Sequence, residues 1–281
     1  MMDNPRKLLK KIEKWAKNQP NIRTLILLGS HVHKGQTDRL SDIDLYLFVE
    51  NLNDFKENQD WFKTFGPVWL AVINDESDHI TWNIIYEGGL LVEFFMYPIT
   101  ALETLRNKLP EHFEPGFDVL VDKDKRAKSL PRAEGTPRPP ESPSVEIFQK
   151  SLASFWLDAY HVAKYLWRRD LWRAKHHDWR LKDDLLQMMG WHAVLKGREQ
   201  AFTAYEGKGL QSWIEPETFT SLMTVFGRFY PADSWRALED SIKLFTRLSS
   251  EVAEILGTDT RDDLQEKFIP LIKDLQTNPP D

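Results

Sequence analysis

The sequence predicts an α/β domain built on a mixed sheet, followed by an all-helical domain. The first half alternates short runs rich in Ile, Leu, Val and Phe with polar turns, a pattern typical of buried strands. The second half carries apolar residues at helical spacing over long stretches. Between them, residues 129–144 contain five prolines and few apolar side chains, which indicates a stiff, extended connector. We therefore predict a first domain over residues 1–128, a linker over 129–144 and a helical domain over 145–281.

The composition is that of an ordinary globular protein. The chain has 281 residues, of which 41% are hydrophobic. Its formal net charge of −6 argues against a nucleic-acid-binding surface spread over the whole protein, though not against a local basic groove. It has no cysteine, which excludes disulfides, thiolate catalysis and cysteine-ligated zinc. No apolar run approaches the length of a membrane span, and the charged N-terminus lacks the apolar core of a secretory signal. We therefore expect a cytoplasmic protein with no membrane partner.

Each predicted element of the first domain has its own sequence signal. Asn4 can cap a helix that begins at Pro5, and residues 87–89, Glu-Gly-Gly, suit a hairpin turn between two strands. The predicted helices cover residues 5–17, 53–65 and 100–108. The predicted strands cover residues 22–28, 43–49, 68–73, 79–86, 90–97 and 118–121.

The second domain is predicted to be helical throughout. The predicted helices cover residues 145–169, 172–196, 216–226, 234–256 and 262–275. A glycine-broken stretch, EGKGLQSW, separates the second of these from the third. The chain contains 11 tryptophans, most of them in this half, and Trp can fill a core or line a pocket for flat or cationic ligands.

Two aspartates open the second predicted strand, after a Gly-Ser turn and a polar loop. Side chains two apart on a strand face the same side, so Asp42 and Asp44 point one way while Ile43 points into the core. Two carboxylates placed in this way can converge on one Mg²⁺, which prefers oxygen ligands and also retains phosphate oxygens. The alternative is that Ser41 and Asp42 only form a turn. However, Asp44 lies inside the strand, where burying an unpaired carboxylate is costly.

Glu93 is the natural third ligand, since it is the lone charge in the strand LLVEFFMY. If its strand lies beside that of Asp44, three carboxylates share one edge of the sheet. They can then hold two ions about 3.5–4 Å apart, which clamp the attacking and leaving oxygens of a displacement. The alternative is a structural ion pair with a buried Arg or Lys. Gly29 lets the backbone approach a phosphate, and the Ser30 hydroxyl can donate to phosphate oxygens.

The order Gly-Ser, Asp-x-Asp and a later strand carboxylate resembles the nucleotidyltransferase superfamily. Within it, the chain is similar to the antibiotic-modifying branch, in particular the streptomycin (aminoglycoside 6-) adenylyltransferases and the related lincosamide nucleotidyltransferases. The resemblance covers most of the chain. It includes VLVDKDKR (119–126), FWLDAYHVAKYLWRRDL (155–171), LLQMMGWHAVLKG, the EGKGL turn and SSEVAEILG.

The resemblance implies a nucleotidyltransferase fold that moves AMP from ATP to a hydroxyl of a small acceptor and releases pyrophosphate, with Mg²⁺ bound. It maps Gly29, Ser30, Asp42 and Asp44 onto the family motif. Glu93 stands where the aminoglycoside enzymes carry Asp. The connection that precedes it is shorter than in those enzymes and closer in spacing to the lincosamide enzymes, so an aminoglycoside and a lincosamide both remain candidate acceptors.

Three basic residues are candidates for binding the triphosphate. Lys164 matches a Lys of the aminoglycoside enzymes, and a surface Lys whose alkyl chain covers apolar neighbours is the alternative. Lys208, in the sequence Glu-Gly-Lys-Gly, can meet phosphate but does not belong to a P-loop, whose spacing it lacks. Arg39 precedes Asp42 and can either approach a phosphate or pair with a carboxylate.

The general base that would deprotonate an acceptor is left open between two acids. Glu87 adjoins the glycine turn, and Asp158 lies in an aromatic helix, where it could also bind a cationic acceptor. We expect Asp158 to face solvent. Two pairs of histidines, the second of them beside Asp178, lack the spacing of a zinc motif, so we expect them at the surface. They are His31, His33, His176 and His177.

Three functions are compatible with these residues. The first is adenylyl transfer to a small alcohol of aminoglycoside or lincosamide type. The second is the same chemistry on RNA or protein, but an RNA acceptor demands a basic groove, and the net charge weighs against one. The third is a nucleotide-binding module without activity, which the complete acidic triad disfavours.

Overall fold

The computed structural model describes residues 5–32, 37–133, 135, 141–198 and 206–280. The chain divides into two compact units, Met1–Pro137 and Arg138–Asp281. Each unit has a hydrophobic core of its own. The prediction of a mixed-sheet unit followed by a helical one is confirmed.

The first unit is built on one six-stranded sheet. Its strands are β1 (Ile22–Leu28), β2 (Ile43–Val49), β3 (Val68–Asp75), β4 (Ile80–Tyr86), β5 (Leu90–Pro98) and β6 (Asp118–Asp122). Its helices are α1 (Pro5–Asn18), α2 (Asn53–Glu57) and α3 (Ala101–Asn107). The strand order is β3-β4-β5-β2-β1-β6. The pairing of β2 with β5 is parallel and the other neighbouring pairs are antiparallel, so the sheet is mixed as predicted.

The central strand β2 is covered on both faces. Leu45 and Leu47 face a core that includes α1, and Tyr46 and Phe48 face a second apolar layer that includes α3. This double burial explains the nearly continuous apolar run in the sequence. Asp44 is the one position of β2 that is not fully buried. By the alternation of a strand it shares the face of Tyr46 and Phe48.

The helix predicted over residues 53–65 is wrong in its extent. α2 ends at Glu57, and a separate 3₁₀ helix covers Trp61–Thr64. The Asn58 side chain accepts a hydrogen bond from the Asp60 N–H at 3.0 Å, a local turn that competes with helix formation. Two buried side chains also donate to carbonyls that a continuous helix would have used: Trp82 Nε1 to Phe55, and the Tyr86 hydroxyl to Phe62.

The second unit consists of helices, as predicted. They are α4 (Val145–Trp167), α5 (Leu171–Leu195), α6 (Leu210–Trp213), α7 (Pro216–Leu222), α8 (Pro231–Leu256) and α9 (Asp262–Thr277). The Ser144 side chain caps α4 by accepting from the Ile147 N–H at 3.2 Å. Phe155 of α4 stacks on Phe245 of α8 with ring centroids 3.6 Å apart. The short helix α6 lies in the glycine-broken stretch and was not predicted.

None of the helices formed by the described residues is both long enough and apolar enough to cross a bilayer.

Candidate active site

Asp44 and Glu93 are direct partners across the parallel pair β2 and β5. Cross-strand partners face the same side of a sheet, so the two side chains lie next to each other. The expectation that the strand of Glu93 lies beside that of Asp44 is therefore confirmed. Asp42 immediately precedes β2, and its charge is close enough to Glu93 to perturb it.

Gly29 brings the backbone against the carboxylate of Asp44. It directly follows β1, whose last residue, Leu28, is the antiparallel partner of Asp44. A Cβ atom built on Gly29 would lie 2.1 Å from Asp44 Oδ2, and the φ angle of Gly29 is +75°. Both the space and the backbone conformation therefore require glycine here. Ser30 follows, half-buried, in a 3₁₀ helix that covers Gly29–Val32.

A hydrogen-bonded turn leads into Asp42. The Leu40 N–H donates to Asp38 Oδ1 at 2.8 Å, and the Asp38 N–H donates to Ser41 Oγ at 2.8 Å. His31 Nε2 lies 3.4 Å from the Ser41 carbonyl oxygen. These bonds fix the backbone on which Asp42 enters the sheet, as Asx-type turns do.

Burial, followed by repulsion between carboxylates, determines the electrostatics of the site. Burial raises the pKa of Glu93, and the charge of Asp44, a hydrogen bond with Asp44 and the charge of Asp42 raise it further. Burial and the charge of Asp38 raise the pKa of Asp42, which the charge of His31 opposes. Crowded carboxylates of this kind favour either a shared proton or a bound cation.

The donor set suits a hard divalent cation. All three candidate ligands offer carboxylate oxygens, which Mg²⁺ prefers over nitrogen or sulfur. In the structure, however, Asp42, Asp44 and Glu93 do not form a group in which one oxygen atom from each residue lies within 4.8 Å of the other two. The side chains must therefore draw together before one ion can contact all three, and Asp44 and Glu93, paired across the strands, form the nucleus of the site.

An aromatic layer adjoins the carboxylates on the same face of the sheet. Tyr46 and Phe95 lie two residues beyond Asp44 and Glu93, and their rings stack with centroids 4.6 Å apart. Phe113 packs edge-on against Tyr46 at 5.0 Å. The same face of the sheet is therefore apolar next to the carboxylates, and apolar surroundings raise the pKa of a carboxyl group.

Asn83 extends the polar row on to β4 and was missed in the sequence. It is the antiparallel partner of Glu93, so Asn83, Glu93 and Asp44 form a row across three strands. The one signal in the sequence is a polar residue among the apolar ones of ITWNIIY. Only the pairing of β4 with β5 reveals that this residue faces the candidate site.

The three basic candidates lie in different environments. Arg39 is exposed in the turn before β2. Lys164, in the second unit, is half-buried on α4, with Nζ 5.7 Å from the ring centroid of Tyr160 and 5.6 Å from that of Tyr165. This is a cation–π environment. Lys208, also in the second unit, is exposed. Their roles in binding phosphate stay predictions.

The expectation that Asp158 faces solvent is wrong. Asp158 is buried between α4 and α5, with Oδ1 2.8 Å from His177 Nδ1 and Oδ2 3.3 Å from Arg180 Nε. A buried carboxylate needs such partners, because its desolvation is otherwise too costly. The expectation of a surface position is wrong for His177 as well, since the same helix pair half-buries it, whereas His176 is exposed.

The remaining candidates from the sequence are Glu87, His31 and His33. Glu87 is exposed in the turn that precedes β5. His31 is half-buried beside the Ser41 carbonyl group described above. His33 lies outside the described residues.

The second unit contains a cavity of about 620 Å³, large enough for a small organic molecule. Its walls combine aromatic rings, carboxylates, aliphatic side chains and Lys182, whose ammonium group lies 2.6 Å from Asp178 Oδ1. The aromatic and acidic residues are Trp179, Asp183, Glu206 and Phe226. Trp179 and Phe226 have ring centroids 6.2 Å apart. Such a combination suits a cationic, ring-bearing ligand.

Comparisons with known proteins agree over most of the chain. The model of the streptomycin adenylyltransferase family matches residues 2–275. An aminoglycoside 6-adenylyltransferase of Bacillus subtilis (strain 168) is 24% identical over 260 residues, which are 86% of this chain and 88% of that protein. One of Campylobacter jejuni is 23% identical over 253 residues, 85% of this chain and 84% of that protein.

Among solved structures, the crystal structure of an aminoglycoside 6-adenyltransferase from Bacillus subtilis matches 99% of this chain and 100% of that chain. The sequence identity is 20% and the TM-score is 0.46. This structural match is too weak to support a family assignment, which rests on the family model.

Proposed function

The chain belongs to the streptomycin adenylyltransferase family and is a nucleotidyltransferase, and from this premise we propose that it transfers AMP from ATP to a hydroxyl group of an aminoglycoside. Pyrophosphate is the second product. The observation that carries the proposal is the pairing of Asp44 with Glu93 beside Gly29. It supplies crowded oxygen ligands where a backbone without a Cβ atom can approach a triphosphate.

Asp42, Asp44 and Glu93 are the proposed ligands of two Mg²⁺ ions. When bound, Mg²⁺ neutralises charge on the triphosphate and on the oxygens that attack and leave the phosphorus atom. The protein contributes the position of these carboxylates, which the strand pairing fixes. Ser30 and the N–H groups after Gly29 donate to phosphate oxygens, and Arg39 supplies positive charge for the triphosphate.

The acceptor hydroxyl must lose a proton during the transfer. Asp158 already accepts from His177 and Arg180, which makes it a poor base. Glu87 lines a small cavity with Leu8, Phe65, Tyr86 and Leu90, which belong to the core on the face of the sheet opposite Asp44. The general base is therefore assigned to neither acid.

Replacing either aspartate tests the metal assignment. We expect Asp42→Asn and Asp44→Asn to lower kcat on the order of 10³-fold or more, because losing a metal ion removes several kcal/mol of transition-state stabilisation. The measurement is pyrophosphate release from ATP with each acceptor of a panel. Glu57→Gln, at an exposed position of α2, is the matched control and should keep full activity. Near-normal turnover in both aspartate variants would overturn the assignment.

The same assay identifies the acceptor class. Aminoglycosides, lincosamides, tRNA and a protein lysate are supplied in parallel with labelled ATP. We expect label on an aminoglycoside. Transfer to tRNA or protein instead would contradict the small-molecule acceptor, and ATP binding without pyrophosphate release on any acceptor would favour a nucleotide-binding module.

Acceptor recognition is proposed to involve the cavity of the second unit. Aminoglycosides are polycations, which the carboxylates of Asp183 and Glu206 attract and the rings of Trp179 and Phe226 bind by cation–π contact. The proposal concerns binding only and assigns these residues no chemical step.

Two variants in this cavity should separate acceptor binding from chemistry. We expect Trp179→Ala and Asp183→Asn each to raise the acceptor KM about tenfold, because losing about 1.4 kcal/mol of contact energy weakens binding about tenfold. The KM for ATP should not change. Trp172→Ala, at an exposed Trp of the same helix that does not line the cavity, is the control. Equal effects on the KM values of ATP and acceptor would contradict a role in acceptor binding.

A further inference from the structure

A second cluster of possible metal ligands lies in the helical unit. Asp158 and His161 are three residues apart on α4, and His177 is on α5. Residues three apart on a helix share a face, so α4 presents two donors and α5 the third. One ligand atom from each of the three residues lies within 4.8 Å of the other two. Among the described residues, no other group of three meets this distance.

His161 carries the observation that points to a ligand. Its Nδ1 atom is buried and has no hydrogen-bond partner among the described residues. Its ring stacks on that of His177, with centroids 4.4 Å apart and planes 25° from parallel. A buried ring nitrogen without a partner costs free energy, so native structures seldom keep one without a reason. A metal ion would satisfy it.

The contact between Asp158 and His177 is compatible with a shared ion. Oδ1 and Nδ1 lie 2.8 Å apart, so they need to separate by only about 0.5 Å to reach the roughly 3.3 Å between two donors that are each about 2 Å from one tetrahedral zinc ion. Arg180 contacts the other oxygen, Oδ2, at 3.3 Å. It can therefore remain as the hydrogen-bond donor that orients the carboxylate, as outer contacts of ligating carboxylates commonly do.

We propose that Asp158, His161 and His177 bind a divalent transition-metal ion, such as Zn²⁺, between α4 and α5. Two imidazoles and one carboxylate match the donors that Zn²⁺ and its neighbours in the first row prefer, whereas Mg²⁺ prefers oxygen alone. Three protein ligands leave a fourth position for water. The ion ties two long helices of the unit together. This site is independent of the proposed adenylyl transfer, and its failure would leave that proposal unchanged.

Two nearby cations limit the affinity. Arg180 contacts Asp158, and the charge of Lys164 reaches His161. Both repel a dication. We therefore expect a dissociation constant in the micromolar range, weaker than that of structural zinc sites with four protein ligands. The Arg180 side chain is 56% exposed, so solvent screens its repulsion of the ion while it keeps its contact with Asp158.

The test uses the full chain with Asp42→Asn and Asp44→Asn in place, in excess Mg²⁺, so that the carboxylates of the sheet do not contribute. Zn²⁺ binding is measured by calorimetry, and Co²⁺ is used as a coloured substitute for Zn²⁺. We expect one equivalent to bind, with the intense visible absorption of four-coordinate Co²⁺, and Zn²⁺ to raise the unfolding temperature. His161→Gln and His177→Ala should each weaken binding at least tenfold.

His176→Ala is the matched control, since His176 is exposed on the same helix next to His177 and should leave binding unchanged. His161→Gln keeps the Asp158–His177 contact, so it separates loss of a ligand from loss of folding, which the unfolding temperature without metal reports. Absence of Zn²⁺ binding, or binding that survives both His161→Gln and His177→Ala, would overturn the proposal. Equal weakening by His176→Ala would overturn it too, since the ion would then be bound through surface histidines.

Discussion

At the scale of single residues, the candidate site depends on the close approach of Gly29 to Asp44. The absent Cβ atom leaves the space that Asp44 Oδ2 occupies. A methyl group placed there would push the carboxylate away from Glu93, its partner across the strands. The glycine therefore determines where the carboxylate stands, in addition to letting a phosphate approach.

Gly29→Ala should separate this role from ordinary backbone strain. We expect kcat to fall on the order of 10²-fold, because displacing a positioned catalytic group by about 1 Å has that effect. Gly257→Ala is the control: Gly257 has a φ of +65°, and an added Cβ atom there would meet nothing within 4 Å. Both variants should lose about 1 kcal/mol of stability from the positive φ angle, but only Gly29→Ala should lose activity. The measurements are pyrophosphate release and thermal unfolding, and equal activities would contradict the role.

The residues of the site differ in how far the sequence could predict them. Asp44 and Glu93 were predictable because each is a lone charge in an apolar strand, where burial demands a partner. Asn83 and His161 were not, because their neighbours come from other elements and their polarity alone is unremarkable. The prediction that Asp158 faces solvent was wrong because the helical pattern shows which face of α4 is apolar, but not that His177 and Arg180 of α5 pair with Asp158.

At the scale of elements, α5 and α8 are joined through Glu251. His192 Nε2 lies 2.9 Å and Lys196 Nζ 3.0 Å from Glu251 Oε2, and Arg247 lies 3.1 Å from Oε1. The pKa of Glu251 is lowered from 4.5 to about 2, mainly by the hydrogen bond with His192 and also by Lys196, against the opposing effect of burial. The carboxylate is therefore more stable in the folded chain than in the unfolded one.

Glu251→Gln should make the helical unit less stable in a pH-dependent way. A lowered pKa contributes stability that is present above pH 4.5 and is lost as the pH falls through about 2. We expect the free energy of unfolding to fall by about 1 kcal/mol at pH 7, a modest value because partial exposure screens the interaction. Below pH 4.5, the difference between the variant and the wild type should become smaller. Thermal unfolding across pH measures it, with Glu254→Gln, exposed on the same helix, as the control. A difference that does not change with pH would contradict the assignment.

The positions of strands were easier to predict from the sequence than the break within a predicted helix. The strands were found to within two residues at each end because their apolar runs and bounding turns are local signals. The break after Glu57 was not, because it depends on Trp82 and Tyr86, distant residues that take the carbonyl groups of the predicted helix. The pairing of β2 with β5 could be assumed but not predicted, because the sequence of a strand does not show which distant strand it pairs with or in which register.

At the scale of the whole molecule, the chain consists of two units with separate hydrophobic cores. We propose that the two units unfold as separate cooperative transitions, since a core is the unit of cooperativity in a domain. ATP with Mg²⁺ should then raise the transition of the first unit, because ligands stabilise the unit that binds them. Glu251→Gln should lower the other transition. Differential scanning calorimetry tests this, and a single transition that shifts with both changes would contradict it.

The parallel pairing of β2 with β5 also constrains the order in which the chain can fold. The segment between these strands contains α2, β3 and β4, so joining them closes a longer loop than either neighbouring antiparallel pair. Closing a longer loop costs more conformational entropy, and local pairs therefore form first. Until β5 arrives, β2 is an open edge that could pair with another chain. Charged residues turned toward the interior of an edge strand discourage such association. We therefore expect Asp44 also to protect the nascent sheet from aggregation, which is separate from the role in the reaction that we propose for it.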